Sequence, residues 1–268
     1  MSSFSNENQC SPLLTVVVPV YNEARTVVAL LDMLYNEETN KEIIIVDDGS
    51  TDGSGNLIDE WVRDIRHLNK QTGRIVHEVH ECNQGKGRAI RSALMHAQGD
   101  YFLIQDADLE LCPSNYGCLL VPLITNQAQF VVGSRVTSRG GFRGMHWCGI
   151  ALENMMVRMI YGIRLSDAAC CYKVTRTSNV RLMGLRCEGF EFCPEYLAKA
   201  ARLNLSMQEV KVHYSPRPRS EGKKIRFVRD GFWVFITLLR YRNWVPDKVD
   251  LCAETPRGST GSACPARH

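Results

Sequence analysis

The chain has no apolar run approaching the ~20 residues that cross a bilayer; its longest candidate is Phe232 to Leu239. No signal-peptide pattern opens it, so the expectation is a chain on the cytosolic side of a membrane. It has no Cys-x-x-Cys either, and its eleven cysteines are scattered and odd in number. That excludes a zinc ribbon or a disulfide framework and leaves reduced, mostly structural thiols, with the adjacent Cys170 and Cys171 read as small buried hydrophobes. No internal repeat is visible. Charge of one sign is not in excess, at a net +3. The basic residues that cluster locally lack the interleaved pattern of known nucleic-acid modules, so no nucleic-acid partner is expected.

What is present is enough apolar residue, 44% of 268, to bury a compact core. Leu13 to Val20 reads as a buried strand ended by a proline that cannot donate to a central ladder. Asn22 is the expected cap of a helix carrying Val27, Val28, Leu30, Leu31 and Leu34. Glu42 to Val46 is a second strand, stopping at the polar turn from Asp47 to Gly53. A helix over Leu57 to Leu68 follows, then a strand over Arg74 to Val79. Gly85-Lys86-Gly87 opens a third helix, and Tyr101 to Ile104 and Phe130 to Val132 give further strands. This alternation predicts an α/β fold, a mostly parallel sheet with helices on both faces, in which ligands bind beyond the carboxyl ends of the strands. One domain over 13–242 is expected, with flexible ends over 1–12 and 243–268.

The most pointed feature is Asp106 and Asp108, one residue apart where the Tyr101 strand breaks off. On an extended backbone, carboxylates at i and i+2 face the same way and can share a hard divalent ion, leaving positions open for phosphate oxygens. Taken alone, the pair fits solvated loop residues equally well. From Lys211 to Arg242 nine Lys and Arg stand against Glu221 and Asp230, around the apolar stretch Gly231 to Leu239. That pattern suits a helix lying on an anionic membrane surface, and equally a core helix with solvated ends.

The series Val18-Pro-Val-Tyr-Asn-Glu23, Val46 to Asp52, Asn83-Gln-Gly-Lys-Gly87, Asp106-Ala-Asp-Leu109 and Gly133-Ser-Arg135 resembles family 2 glycosyltransferases, and within them the polyprenyl-phosphate branch. The resemblance runs from about Leu13 to Arg242. It implies the GT-A fold and Mg²⁺ or Mn²⁺ as cofactor. Pro19, Tyr21, Glu23 and Asp48 would line the nucleoside pocket, with Asp47 and Asp52 near it. Asp106 and Asp108, flanking Ala107, would hold the metal on the sugar diphosphate. Glu110 stands where a further ligand, frequently Gln, is common.

Lys86 would reach a phosphate, although the loop is not a Walker A motif: His80 and Gly87 occupy the positions where that motif needs glycine and Ser or Thr. Arg135 would take an acceptor phosphate with its fork of donors. Asp167, in the Ser166 to Lys173 segment, would face the reacting carbon and orient the nucleophile or accept its proton, ahead of Glu191 and Glu195. Cys171 stands in that segment where glycine is common. Arg217, Arg219 and Lys224 look like a basic acceptor loop that closes over both phosphates.

By this resemblance the chain is an inverting, metal-dependent enzyme moving mannose or glucose from a GDP- or UDP-sugar to a polyprenyl phosphate. It would be peripheral on the cytosolic face of a membrane, the endoplasmic reticulum in a eukaryote or the plasma membrane in a prokaryote, and recruited there by a small membrane-anchoring subunit. Two other readings stand beside it. One keeps the fold with a soluble or glycan acceptor and makes Asp167 the base; the other is a non-catalytic module that binds nucleotide sugars.

Overall fold

The computed structural model describes residues 13–67, 73–135, 145–216 and 227–246. The expected end over 1–12, the expected tail over 243–268 from residue 247 on, and the basic loop over 217–226 lie outside these residues. In chain order the elements are β1 (Leu14–Val20), α1 (Val27–Asn36), β2 (Lys41–Asp47), α2 (Ser54–His67), β3 (Ile75–Val79), α3 (Lys86–His96) and β4 (Tyr101–Ile104). Then come a 3₁₀ turn (Pro113–Asn115), α4 (Tyr116–Ile124), β5 (Phe130–Ser134), α5 (Met145–Tyr161), β6 (Lys173–Arg176), α6 (Thr177–Met183), α7 (Phe192–Arg202), β7 (Met207–Lys211) and α8 (Phe227–Arg240).

The strands form one sheet in the order β3-β2-β1-β4-β6-β5-β7. β3, β2, β1 and β4 run parallel, as do β5 and β7, while β6 is antiparallel to both of its neighbours. Successive side chains of a strand point to opposite faces, and all of β2 and nearly all of β1 are buried. The sheet is therefore covered on both sides, as the unbroken β-branched runs require. α3 packs on β1 and β2, α4 on β5, and α5 and α7 on α8.

The chain winds outward through β1, β2 and β3 and returns to the other flank of β1 as β4. Such a reversal opens a crevice beyond the carboxyl ends. Pro19 fits this place. Val20 accepts from Asp48 on the β2 side and Val17 accepts from Gln105 on the β4 side, so the missing N–H of Pro19 faces where β4 has already ended.

One local expectation is corrected. Asn22 does not cap α1, which starts after Thr26. Asn22 is instead left-handed, at φ 53°. Its side-chain oxygen accepts from the Thr51 N–H at 2.8 Å and its own N–H donates to Ser50 at 3.0 Å, which ties the first turn to the second. Of the expected C-terminal tail only residues 243–246 are described. Trp244 donates to Tyr241 and accepts from Arg202, and the Lys199 ammonium lies 5.0 Å from its ring centre.

Candidate active site

Beyond β2 the carboxylates are committed to shaping turns. Asp47, nearly inaccessible, accepts from the Ser50 N–H at 2.9 Å. Asp52 accepts from the N–H groups of Ala24 and Ser54 and from the Ser54 hydroxyl. Burial would raise its pKa, but these bonds prevail and hold it below the ordinary value. Asp48 reaches further along the chain. Its oxygens accept from His80 Nδ1 at 2.6 Å and from the N–H groups of Gln84 and Gly85 at 3.0 and 2.7 Å. A carboxylate only accepts, so Nδ1 carries the proton. Tyr21 and Glu23 sit on the neighbouring turn, the Glu23 carboxylate 3.1 Å from the Thr26 hydroxyl.

Asp48 thereby fixes the loop that launches Lys86. Gly85 has φ 96°, and any Cβ on it or on Gly87 would run into the carbonyls of Glu188 and Cys187. The Gly87 and Arg88 N–H groups donate to that same Glu188 carbonyl. The start of α3 is thus satisfied by backbone, and the Lys86 side chain is what it offers to the site. Lys86 Nζ meets Asp106 Oδ1 at 2.5 Å and lies 3.4 Å from Cys171 Sγ. Burial disfavours both charges, but their attraction prevails: Lys86 is raised well above and Asp106 held below its ordinary value. Arg135 adds to the pull on Asp106.

Asp106 and Asp108 lie past the end of β4, Asp108 in a turn. The turn is held from beneath. Buried Gln105 donates to the carbonyls of Asp106 and Leu111 and accepts from the hydroxyls of Tyr116 and Tyr172. Ala107 points inward. Leu109 takes φ 59°, and the Glu110 N–H donates to Asp108 Oδ1 at 3.1 Å. Glu110 accepts from the Tyr214 hydroxyl at 3.2 Å. Burial, Glu110 and Asp108 push that phenol up to about 12, against the opposing pull of Arg135.

Tyr214 connects to the last pair, since Arg135 lies 5.4 Å from its ring centre. Asp167 is fully buried and takes Arg135 in a fork: Nε to Oδ2 at 2.7 Å, Nη2 to Oδ1 at 2.8 Å, and the Arg135 N–H to Oδ2 at 3.0 Å. Burial would lower the guanidinium pKa, but the contact with Asp167 raises it. Both Asp167 oxygens are therefore engaged by a permanent cation, which suits orientation of Arg135 and not proton abstraction. Glu195 is engaged elsewhere, with Lys199 at 2.7 Å and the N–H groups of Arg186 and Cys187.

The structure gathers Lys86, Asp106, Cys171, Arg135, Asp167 and Tyr214 into one electrostatic cluster; Arg217, Arg219 and Lys224 lie outside the described residues. Cys170 is buried as expected, but Cys171 is only half-buried and touches Lys86. Tyr214 had no signal in the sequence, because it follows an unrecognised edge strand. Among the described residues no three His, Cys, Asp or Glu side chains form a metal-binding group. The donor set at this corner is two carboxylates, whose hard oxygens fit Mg²⁺ or Mn²⁺ when a diphosphate completes the shell.

A mostly parallel sheet with acidic turns beyond its switch point is the nucleotide-diphosphosugar transferase architecture called GT-A. The crystal structure of glucosyl-3-phosphoglycerate synthase from Mycobacterium tuberculosis, in complex with Mn²⁺, UDP-glucose and phosphoglyceric acid, superposes with a TM-score of 0.62. It is 21% identical, with 88% of this chain and 82% of that one covered. Residues 15–181 match glycosyl transferase family 2, so the chain belongs to that family and is a glycosyltransferase. A UDP-N-acetylglucosamine–dolichyl-phosphate N-acetylglucosaminyltransferase of Methanococcus voltae is 26% identical over 242 residues, 85% of this chain and 95% of the relative. The dolichyl-phosphate β-glucosyltransferase ALG5A of Trichomonas vaginalis is 27% identical over 237 residues, 81% of this chain and 69% of the relative.

Proposed function

We propose that the enzyme transfers a hexose, mannose or glucose, from a GDP- or UDP-sugar to a polyprenyl phosphate with inversion at the anomeric carbon. The observation that carries this reading is a pair of cations at the crevice, Lys86 on Asp106 and Arg135 forked on Asp167 beside Tyr214. A reaction between a sugar diphosphate and a phosphate monoester brings two anions together and needs such a pair. Asp106 and Asp108 would hold Mg²⁺ or Mn²⁺, which when bound offsets the charge of the diphosphate.

Lys86, released from Asp106, turns to the leaving phosphates, and Arg135, braced by Asp167, holds the acceptor phosphate. The phosphate oxygen attacks the anomeric carbon as the bond to the diphosphate oxygen breaks. No proton need move, because a phosphate monoester is largely dianionic near pH 7. The engagement of both Asp167 oxygens favours this acceptor over one that requires a base.

The surface suits a lipid substrate. Leu152, Met155 and Met159 on α5, and Phe232 and Trp233 on α8, are each at least half exposed, and α5 packs on α8. Exposed Arg158, Arg240 and Arg242 lie on the same two helices or just beyond. Among the described residues no helix is long and apolar enough to cross a membrane. The reading is therefore peripheral attachment to the cytosolic face, with a small membrane subunit as partner. Incubation with UDP-glucose, UDP-N-acetylglucosamine or GDP-mannose, dolichyl or undecaprenyl phosphate and Mn²⁺ should give a lipid-linked sugar and free nucleoside diphosphate. Product formed equally well in excess chelator, or only on soluble acceptors, would refute the reading.

A further inference from the structure

Asp167 can orient Arg135 only if its own backbone is held, and two side chains outside the motifs hold it. Glu209, in the edge strand β7 opposite Val132 of β5, accepts with one oxygen from the Ser166 N–H at 2.8 Å, the Asp167 N–H at 3.0 Å and the Ser166 hydroxyl at 3.1 Å. Asn154 of α5 grips the same turn from the other side. Its amide donates to the Ser166 carbonyl at 2.7 Å, and its oxygen accepts from the Ala168 N–H at 2.9 Å. The Ser134 and Ser166 hydroxyls, 2.8 Å apart, join this turn to the end of β5, next to Arg135.

The geometry points to Glu209 and Asn154 as positioning residues that set the Arg135 fork for the acceptor phosphate by clamping the Ser166–Ala168 turn. This rests on the reading of Arg135 as the acceptor-phosphate ligand. Without Glu209 three donors of the turn lose this acceptor, and without Asn154 the Ala168 N–H loses its own; Asp167 shifts, and the guanidinium follows it. A displacement of about 1 Å at a phosphate-holding group costs roughly two orders of magnitude in rate. Charge alone does not explain the arrangement, since Glu209 acts through N–H and hydroxyl donors. A carboxamide oxygen at this position still accepts.

The test is calorimetric titration of the full chain with farnesyl phosphate, using farnesol as the uncharged control and thermal melts to verify folding. R135K, which keeps the charge but not the fork, is expected to weaken farnesyl phosphate about tenfold, ~1.4 kcal/mol. E209A should weaken it by a similar factor, and E209Q should stay within about threefold of wild type. The E209A/R135K double variant should bind no worse than R135K, as expected when one residue acts through the other. Wild-type binding by E209A alongside weakened R135K overturns the clamp and leaves the acceptor reading standing. Wild-type binding by R135K overturns the acceptor reading itself. If E209A does not fold, N154A carries the test: unchanged binding overturns the clamp, and a loss of about threefold or more supports it.

Discussion

At the scale of single residues, Asp108 and Asp167 separate two uses of a carboxylate. Asp108 is half-buried, and its Oδ1 accepts from the Glu110 N–H, a bond that an asparagine oxygen can keep. Asp108→Asn should therefore cost under about 1 kcal/mol of stability yet lower Mn²⁺-dependent kcat by at least about a hundredfold. Turnover near wild type would remove this residue from the site. Asp167→Asn should behave in the opposite way. It leaves the enclosed Arg135 cation without its counter-charge, at a cost of about 3–5 kcal/mol. A melt by circular dichroism should then show a drop on the order of 10 °C, whatever the acceptor. This distinction was not legible in the sequence. The motif order marked both aspartates as site residues, but only the fold shows that Arg135, 32 positions away, occupies both oxygens of Asp167.

At the scale of elements, the helix starts and the buried pairs decide what can change. Gly85 precedes α3 with φ 96° and abuts the Glu188 carbonyl. Gly85→Ala should therefore strain the backbone by about 1–3 kcal/mol and displace Lys86, lowering kcat while Asp106 and Asp108 stay in place. In α7, burial raises the Glu195 pKa, but the bonds from Lys199 and two N–H groups outweigh it and hold it below the ordinary 4.5. A lowered folded-state pKa means that the unfolded chain takes up the proton first. The stability this gives is complete above the ordinary value and is lost as pH falls through the folded one. Tm measured against pH should fall below about pH 4.5, and Glu195→Gln should flatten part of that fall while lowering Tm at pH 7. A Glu195→Gln curve parallel to wild type would contradict the pairing.

The same scale shows where pattern reading succeeds. β1, β4 and the Ile43–Val46 run of β2 are β-branched or apolar throughout and are legible from sequence. β6, Lys173–Arg176, and β7, Met207–Lys211, are not, because they are short and carry charge. β6 hides its lysine, the ammonium of Lys173 being bonded to the Cys170 carbonyl at 2.5 Å. Asn22 fits a cap in the sequence and a left-handed turn in the fold, because asparagine favours both and the sequence does not separate them.

At the scale of the whole molecule, the proposed lipid-phosphate acceptor raises the question of how it is reached when no helix among the described residues is long and apolar enough to cross a membrane. The sheet edge holds the charges, while α5 and α8 present Met155, Met159, Phe232 and Trp233 outward. The surface of these two helices is thus rich in exposed apolar side chains, with exposed arginines on the helices or just beyond them. Such a surface gains from both lipid burial and anionic headgroups, the former by about 1.5–3 kcal/mol for each side chain fully inserted and the latter by about 1 kcal/mol for each cation at the surface. The two contributions are separable. Vesicles containing anionic lipid should sediment with the protein, neutral vesicles should retain less, and high salt should weaken only the anionic difference, since it screens charge and not apolar contact. Changing Phe232 and Trp233 together to serine should lower partitioning to both kinds of vesicle by at least about tenfold. The melt should be unchanged, because neither side chain is enclosed in the fold. Equal sedimentation of this double variant and the wild type would mean that the lipid meets the enzyme by some other face.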